Sequence, residues 1–285
     1  MQILPMTASH LPALKAIHDA SDGVQRADWE IALTERFLLR NRGMSFVALN
    51  EAQQLVGGIF GAYTGLRGMI HHLCVPEAFR RQGIGTALVK AVEAEMIRLR
   101  LTNVAVGIVV EPYRDAFCEC LGFSVPGAFP MMQADINPGF QNLEFPGLDV
   151  RTLEKFDGSA VTWLLQNCGD ADAIATGKAV SNWSSAVLLP MVACFAEQQM
   201  VGVAFYECSG FRGLLLNFAI APAFRNGLAA NALLKAGLSK IASFGVLRVL
   251  ARGFPSGDYR NELLLSAGFV ELPCERIASK TLTHN

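Results

Sequence analysis

The chain has 285 residues, a formal net charge of −1, 52% hydrophobic residues and 17% charged residues. This length is typical of two ordinary domains or one large one, and the composition predicts a sizeable core rather than disorder. The balanced charge gives no indication of nucleic-acid binding or of attraction to a membrane surface. Because no basic segment followed by an apolar run opens the chain, we expect no signal peptide.

Cysteine usage indicates the redox environment. There are seven cysteines, an odd number, and no pair has C-x2-C spacing. We therefore expect no disulfide framework, no metal site and a cytoplasmic location. The most apolar stretch, Ala186–Ala196, is short and contains Pro190, which predicts a buried strand rather than a membrane span.

The first half of the chain predicts a mixed α/β domain. A short strand near Leu4 precedes helices at about Ala8–Asp19 and Trp29–Arg40. The segment Pro130–Leu148, rich in turn residues, predicts a linker. Between them we predict a hairpin of Phe46–Asn50 and Leu55–Tyr63, a strand at Met69–Val75, a helix ending near Leu99, a buried strand at Val104–Val110, a short helix at Arg114–Leu121 and a last strand.

The sequence repeats itself at an offset of 145 residues. Val47-Ala48 corresponds to Val192-Ala193, and Ala78-Phe79-Arg80 corresponds to Ala223-Phe224-Arg225. A period this long indicates a duplicated domain rather than a solenoid. The predicted domains are residues 1–138 and 139–285, the second opening with a strand at Val150 and a helix from about Gly158 to Gln166.

A loop after the strand that ends at Val75 carries the most specific chemistry. It contains Arg80 and Arg81, then Gly83 and Gly85, and a helix begins at its end. Free N–H groups at a helix N-terminus favour an anion, glycines let the backbone approach a phosphate, and arginines add positive charge. The loop therefore predicts a diphosphate-binding turn.

Two other phosphate-binding loops fit this segment poorly. A Walker loop needs Gly-Lys-Ser/Thr, which is missing here. A dinucleotide fingerprint needs its first glycine directly after the strand and a third glycine where this chain has Leu88. The remaining alternative is that Gly83 and Gly85 only shape a turn before an ordinary helix.

The pattern Arg80-x-x-Gly83-x-Gly85 resembles the CoA-binding motif of the GNAT acetyltransferases. The strand Gly68–Val75 resembles the family's fourth strand, and Arg114–Phe123, with its Gly-Phe ending, resembles its late helix. The resemblance covers nearly all of residues 1–130 and, more weakly, 148–280. It implies a mixed α/β fold with two tandem GNAT-like acyl-CoA N-acyltransferase domains.

The resemblance also implies how acetyl-CoA would be held as the co-substrate. The strand backbone would bond the pantetheine arm, the loop amides would hold the pyrophosphate, and the acetyl carbonyl would sit where the fourth and fifth strands splay apart. A neutral amine would then attack the thioester directly. The cofactor-binding residues implied in this way are Leu73, Cys74, Val75, Arg80, Arg81, Gln82, Gly83, Ile84, Gly85 and Thr86.

Direct attack needs a route for the ammonium proton. On strand alternation His71 shares a face with Leu73 and Val75, and some members of the family carry a histidine or glutamate there as general base. His71 is therefore our candidate base. The alternative is that His71 and His72 are ordinary strand residues, one inward and one outward.

The leaving thiolate needs a proton donor. The family's usual acid is a tyrosine four residues before the glycine of Gly-Phe, and this chain has Cys118 there. A thiol can in principle protonate a thiolate, although a cysteine on a short apolar helix more often packs. Tyr113, the nearest tyrosine, is the third catalytic candidate. Glu111 and Asp115 would help the proton route or cap the helix.

The second copy has lost much of this set. Leu228 corresponds to Gly83, and leucines also replace His71 and Cys118. We predict a degenerate domain kept for structure, substrate enclosure or association. Since Gly227 adjoins the position, weak CoA binding is the alternative.

These features together predict an acetyl-CoA-dependent N-acetyltransferase that acts from the N-terminal copy. Its partner would be a small-molecule or peptide amine acceptor, with no nucleic acid and no membrane, and a homodimer is left open. The competing hypothesis is a non-catalytic acyl-CoA sensor or interaction protein, which the missing tyrosine favours.

Overall fold

The chain folds into two compact units in the computed structural model. Unit 1 contains Met1–Ala128, Ser209–Phe211 and Glu275–Asn285, and unit 2 contains Phe129–Cys208 and Arg212–Cys274. Each unit combines a mixed sheet with helices, which confirms the predicted mixed α/β class. The structure describes residues 1–20, 31–109, 112–125, 131–136, 145–153, 158–168, 191–225, 228–272 and 275–283.

Unit 1 is built on a six-stranded sheet. Its strands are β1 (Gln2–Pro5), β2 (Phe46–Leu49), β3 (Leu55–Tyr63), β4 (Gly68–Cys74), β5 (Asn103–Val109) and β13 (Glu275–Thr281), in the order β1-β2-β3-β4-β5-β13. Neighbouring strands are antiparallel except for β4 and β5, which run parallel. The predicted hairpin is confirmed as β2 and β3.

Helices cover both faces of this sheet. They are α1 (Leu11–Ala20), α2 (Ile31–Arg40), α3 (Ile84–Arg98) and α4 (Pro112–Cys120). One buried cluster joins α1 and α2 to Met69 of β4, and another joins α3 and α4 to the adjacent Ile70. Because successive strand residues point to opposite faces, the two clusters lie on opposite sides of the sheet. The predicted start of the second helix at Trp29 lies outside the described residues.

The periodicity of α3 explains its place on the sheet. Ile84, Leu88, Val92 and Met96 recur every fourth residue and all are buried. This spacing puts one apolar stripe against the strands and leaves the opposite face polar. The N-terminus of the helix is thereby fixed next to the end of β4.

Unit 2 repeats this plan with seven strands. They are β6 (Met131–Asp135), β7 (Asp149–Thr152), β8 (Met191–Ala196), β9 (Gln199–Cys208), β10 (Gly213–Ile220), β11 (Arg248–Arg252) and β12 (Val270–Leu272), in the order β12-β6-β11-β10-β9-β8-β7. Only β10 and β11 run parallel. The described helices are α5 (Gly158–Cys168), α6 (Leu228–Ala242) and α7 (Tyr259–Ser266).

The terminal strands differ from the sequence-based expectation. Met131–Asp135 forms β6 and pairs with β11 and β12, so the prediction of a linker over Pro130–Leu148 is wrong for these residues. The last strand of the chain, β13, pairs with β5 from Asn103 to Val109. Sheet edges attract strands because their N–H and C=O groups need partners.

The compact units therefore do not coincide with the two sequence copies, because each unit contains the terminal strand of the other copy. Unit 1 includes a strand from the end of the second copy, and unit 2 includes one from the end of the first copy. The division at residue 138 stays a prediction about the sequence repeat. Among the described residues, no helix is both long enough and apolar enough to cross a membrane.

Candidate functional site

The loop between β4 and α3 is braced by its own arginine. After a short 3-10 turn at Glu77–Phe79, the Arg80 side chain returns to the strand end, and its Nε donates to the Val75 carbonyl at 3.1 Å. Gln82 similarly donates its side-chain amide to the Ala78 carbonyl at 3.2 Å. Both side chains therefore help to set the loop conformation, besides any contact with a ligand.

Gly83 lies at the N-cap of α3 in a left-handed conformation, with φ +80°. A Cβ added there would meet nothing within 4 Å, so this position faces open space. The first helical bond within the turn runs from the Ala87 N–H to the Gly83 carbonyl at 2.9 Å. The N–H groups of Ile84, Gly85 and Thr86 precede that bond and point out of the helix end. This geometry fits a phosphate.

The residues before Gly83 extend this anion-binding geometry. Arg81 also has a positive φ, 63°, which is uncommon for a side chain with a Cβ. Left-handed residues at Arg81 and Gly83 flank Gln82, and left-handed residues of this kind occur in the backbone concavities that bind anions. All three residues are exposed. Strain of this kind, about 1–3 kcal/mol, is typically kept at functional sites.

The two glycines of the motif have different reasons to be glycine. At Gly85 a Cβ would stand 3.2 Å from the Phe117 ring of α4. A side chain at Gly85 would therefore crowd the packing between α3 and α4, whereas Gly83 is open. The Ile84 side chain is buried in the cluster under α3, so this residue offers a ligand its backbone only.

The fourth and fifth strands separate beside this loop. Their parallel ladder joins Gly68–Ile70 to Val104–Val106. β4 continues to Cys74 and β5 continues to Val109 beyond the last paired residues. The backbone edge of β4 next to the helix N-terminus therefore lies outside that ladder, where an extended amide-containing ligand has donors and acceptors to meet.

A β-bulge in β4 places His71 and Leu73 on opposite faces of the sheet. In the β3–β4 ladder Phe60 pairs with His71 and Gly58 pairs with Cys74, so β4 has one extra residue, and His72 has φ +46°. His71 contacts the α1/α2 side, whereas Leu73 packs in the cluster under α3. The expectation that His71 shares a face with Leu73 and Val75 is wrong, because the bulge breaks the alternation.

The same bulge brings both histidines to one face. His71 lies edge-on to Phe37 of α2, with ring centroids 5.9 Å apart, and His72 lies edge-on to His18 of α1 at 5.4 Å. His72 is therefore not the outward-facing residue of an alternating pair. Both imidazoles also meet Phe211, at 5.6 Å for His71 and 4.9 Å for His72.

Sequence reasoning missed the aromatic surroundings of these histidines. Phe37 and Phe211 are separated by most of the chain, and no motif links them. The available signal was the turn glycine Gly210, which corresponds to Gly65 in the first copy and showed that residue 211 sits at a hairpin turn. It did not show which sheet the turn packs against.

Cys118 and Tyr113 occupy contrasting environments on α4. Cys118 is buried in the cluster under α3, and burial, with smaller effects from the nearby Asp115 and Glu119 carboxylates, raises the pKa of its thiol to about 11. Tyr113 is 55% exposed, and its hydroxyl accepts a hydrogen bond from Arg114 Nε at 2.9 Å. Glu111 lies outside the described residues.

The strand residues expected to contact the pantetheine arm differ in side-chain direction. Cys74 is buried on the α1/α2 side, where burial raises the pKa of its thiol to about 12. Leu73 and Val75 pack in the cluster under α3. Thr86 is half-buried in the first turn of α3. Any ligand contact from Cys74 would therefore come from its backbone.

The corresponding loop in unit 2 makes different side-chain contacts. Arg225 donates from Nε to the Ile220 carbonyl at 3.3 Å and from a terminal nitrogen to the Cys168 carbonyl at 3.1 Å, and its guanidinium lies over the Tyr259 ring. Leu228 begins α6 with its side chain 53% exposed. Asn226 and Gly227 lie outside the described residues. The N-terminus of α6 therefore begins with an exposed leucine, whereas Gly83 precedes α3.

In the part of the chain that the structure describes, no group of three or more His, Cys, Asp or Glu side chains could hold a metal ion. The six cysteines within these ranges form no disulfide bond with one another.

Comparisons with known proteins identify the family that the first part of the chain resembles and the fold of the whole chain. A family model described as the acetyltransferase (GNAT) family matches residues 11–123, the stretch that contains β2 to β5 and the α3 loop. No curated protein matches the chain.

Several solved structures share the fold over the whole chain. A tandem GNAT protein from the clavulanic acid biosynthesis pathway is 13% identical, with a TM-score of 0.54, 100% of this chain covered and 99% of that chain. A GCN5-related N-acetyltransferase from Sphaerobacter thermophilus is 16% identical, with a TM-score of 0.58 and 99% and 95% covered. A putative acetyltransferase from Pyrococcus horikoshii is 11% identical, with a TM-score of 0.52 and 99% and 90% covered. These likenesses establish the fold.

Proposed function

We propose that the protein is an acetyl-CoA-dependent N-acetyltransferase acting on an amine of a small molecule or protein, because residues 11–123 match the model of the acetyltransferase (GNAT) family and the whole chain shares the fold of a tandem GNAT protein. The reaction takes place in unit 1. The observation that carries the proposal is Gly83, left-handed and open at the N-terminus of α3.

In this proposal the loop residues hold the pyrophosphate of acetyl-CoA. The N–H groups of Ile84, Gly85 and Thr86 donate to it, and the helix dipole adds a favourable field. Arg81 is exposed beside them and supplies positive charge. The pantetheine arm lies along the edge of β4 beyond Ile70, where the ladder with β5 ends. The thioester is then placed next to the bulge that contains the histidines.

Acetyl-CoA supplies an activated acyl group, and the protein orients the acceptor and moves a proton. The amine nitrogen forms a C–N bond to the carbonyl carbon, the C–S bond breaks, and the electron pair of that bond leaves on the thiolate. His71 accepts the amine proton, since imidazole has an unperturbed pKa near 6.5. His72, which the bulge places on the same face, is a second proton acceptor within this site.

Proton delivery to the thiolate does not depend on Cys118 in this proposal. A thiol with a pKa of about 11 in an apolar cluster is a weak donor. Tyr113, exposed and hydrogen-bonded to Arg114, or solvent water can protonate the thiolate after it leaves.

Release of free CoA thiol from acetyl-CoA, measured against a broad panel of amines, tests the proposal. We expect amine-dependent thiol release and an acetylated amine detectable by mass spectrometry. The Gly83→Leu variant is the matched control and should lose both. Tight acetyl-CoA binding without turnover on any amine would instead support the second hypothesis, a non-catalytic acyl-CoA sensor, which the replacement of the usual tyrosine by Cys118 favours.

A further inference from the structure

The turn between β9 and β10 belongs to unit 1, although the strands on either side belong to unit 2. It corresponds in sequence to the turn between β3 and β4, with Phe211 in the place of Leu66. Leu66 is half-buried, whereas Phe211 is only 3% exposed. Phe211 lies in the cluster formed by α1, α2 and β4. The two copies therefore use the same turn differently.

Specific contacts hold this turn in place. Asn41, at the end of α2 and buried, donates from Nδ2 to the Ser209 carbonyl at 3.0 Å and to the Phe37 carbonyl at 3.1 Å, and its Oδ1 accepts from the Tyr63 N–H. Gly210 has φ +103°, and a Cβ there would meet the Phe37, Arg40 and Asn41 side chains at 3.2–3.5 Å. The buried amide of Asn41 and the left-handed Gly210 thus fix the position of the turn between β9 and β10.

Phe211 contacts both candidate proton acceptors. Its ring is stacked on Phe37, with centroids 4.0 Å apart and planes inclined by 17°. It meets His72 edge-on at 4.9 Å and 84°, and His71 edge-on at 5.6 Å and 75°. Edge-to-face contacts between rings have preferred geometries, so a ring fixed by stacking restricts the rotation of both imidazoles about their side-chain bonds.

We propose that Phe211 is a positioning residue for His71 and His72, so that the degenerate second copy takes part in the acyl transfer of unit 1. This inference rests on the proposed function. A general base must hold its nitrogen within hydrogen-bond reach of the amine, and a displacement of about 1 Å can cost about 10²-fold in rate. By stacking on Phe37, the Phe211 ring fixes the direction in which the imidazole nitrogens point.

The substitution Phe211→Leu tests the role, because it installs the residue of the first copy and keeps an apolar side chain. We expect kcat for acetyl transfer to fall by about tenfold or more, with the Kd for acetyl-CoA unchanged. Phe123→Leu is the matched control for a loosened core, since Phe123 is equally buried at 4% and lies in the other cluster. It should lower the thermal midpoint without the selective fall in kcat. Leu66→Ala should leave kcat unchanged.

Nitrogen-15 NMR of the histidine rings gives a readout that does not need turnover. The hydrogen bonds of the ring nitrogens set the tautomer of an imidazole, and a ring held in one orientation keeps the same hydrogen bonds. Each of the two imidazoles in the wild-type protein should therefore show one tautomer, and Phe211→Leu should give mixed tautomers while Phe123→Leu does not. Signals are assigned with His71→Gln and His72→Gln. Unchanged tautomers with unchanged kcat, or equal losses of kcat in Phe211→Leu and Phe123→Leu, would overturn the proposal. If wild-type protein turns over no amine, the proposed function fails, and the tautomers alone decide whether Phe211 positions the histidines.

Discussion

The loops that precede α3 and α6 share a framework but differ in their ability to receive an anion. Each has a 3-10 turn, an arginine whose Nε donates to the carbonyl at the strand end, and a helix of 15 residues. In the first loop, Gly83 leaves the helix N-terminus open. In the second loop, Leu228 is exposed there and Arg225 also donates to the Cys168 carbonyl.

This difference separates the structural part of the motif from its binding part. Both copies have an arginine at this position, Arg80 in the first and Arg225 in the second, and each braces its own loop. The arginine alone therefore does not indicate a ligand. Gly83 is the residue whose conformation and open surroundings distinguish the loop that fits a phosphate. The comparison therefore supports the proposal that CoA binds in unit 1, and the following experiments test or refine it.

The largest effect is expected when the first copy is expressed alone as residues 1–138. This fragment lacks β13, which pairs with β5 over Asn103–Val109, and it lacks Phe211. An unpaired edge and an open core should prevent a cooperative thermal transition, measured by circular dichroism, and should abolish CoA binding. Coexpression with residues 139–285 is the control and should restore both. A monomeric fragment 1–138 that melts cooperatively and binds CoA would contradict the assignment of β13.

The next largest effect is expected from Gly83→Leu, which copies the second loop. Leucine at φ +80° costs about 1–2 kcal/mol, and its side chain takes the space that a phosphate needs. Calorimetric titration should show CoA affinity reduced by about 100-fold or more, roughly 2.7 kcal/mol. Gly257→Leu is the matched control, because Gly257 has φ +83° and open surroundings and belongs to unit 2. Unchanged affinity in Gly83→Leu would refute the site.

The reciprocal variant Leu228→Gly extends that experiment. We expect it to leave one CoA per chain, because the Arg225 guanidinium remains bonded to the Ile220 and Cys168 carbonyls. Two equivalent sites in the wild-type chain would show that the second copy is not degenerate.

An effect of similar size, but on kcat rather than on CoA affinity, is expected from His71→Leu, which also installs the residue of the second copy. Loss of a positioned base should lower kcat by about 10²-fold or more, while the CoA affinity stays as in the wild type. His72→Asn, the corresponding change at the neighbouring position, shows how the two imidazoles share the proton. If kcat and its pH dependence are the same in His71→Leu as in the wild type, His71 is only a strand residue.

The smallest effect on turnover is expected from Cys118→Ala, less than about tenfold, or roughly 1.4 kcal/mol of barrier. Cys118→Ser should behave alike. A loss of several hundredfold in both variants, with intact CoA binding, would make Cys118 the acid.

The same variant has a consequence for stability at alkaline pH. Burial raises the pKa of Cys118 from 9.0 to about 11, so between these values the folded state holds a proton that the unfolded state releases. The free energy of unfolding should therefore be at its full value below pH 9 and fall as the pH rises to 11. Denaturant titrations should show a shallower fall in Cys118→Ala. Equal slopes in the two proteins would show that the thiol titrates normally.

Much of the site was predictable from local patterns. The hairpin of β2 and β3, the helix α3 and the loop with Gly83 follow from apolar periodicity and from turn residues close in sequence. The face of His71 relative to Leu73 was not predictable, because one extra residue in β4 reverses the alternation between them. Neither His71 nor His72 is a residue type that indicates a bulge. The packing reason for Gly85 likewise depends on Phe117, a residue on another helix.

By itself the sequence determined the duplication, most helices and strands of the first copy, and the motif of the loop that contains Gly83. Those features depend on contacts between residues that are neighbours or one helical turn apart. Only the tertiary structure decided that β13 joins β5, that β6 joins β11 and that Phe211 packs on Phe37. Strand pairing and ring packing join residues far apart in the chain, and several edges or clusters of similar composition compete for each partner. The choice is made by register and shape in the folded core, which no local pattern records.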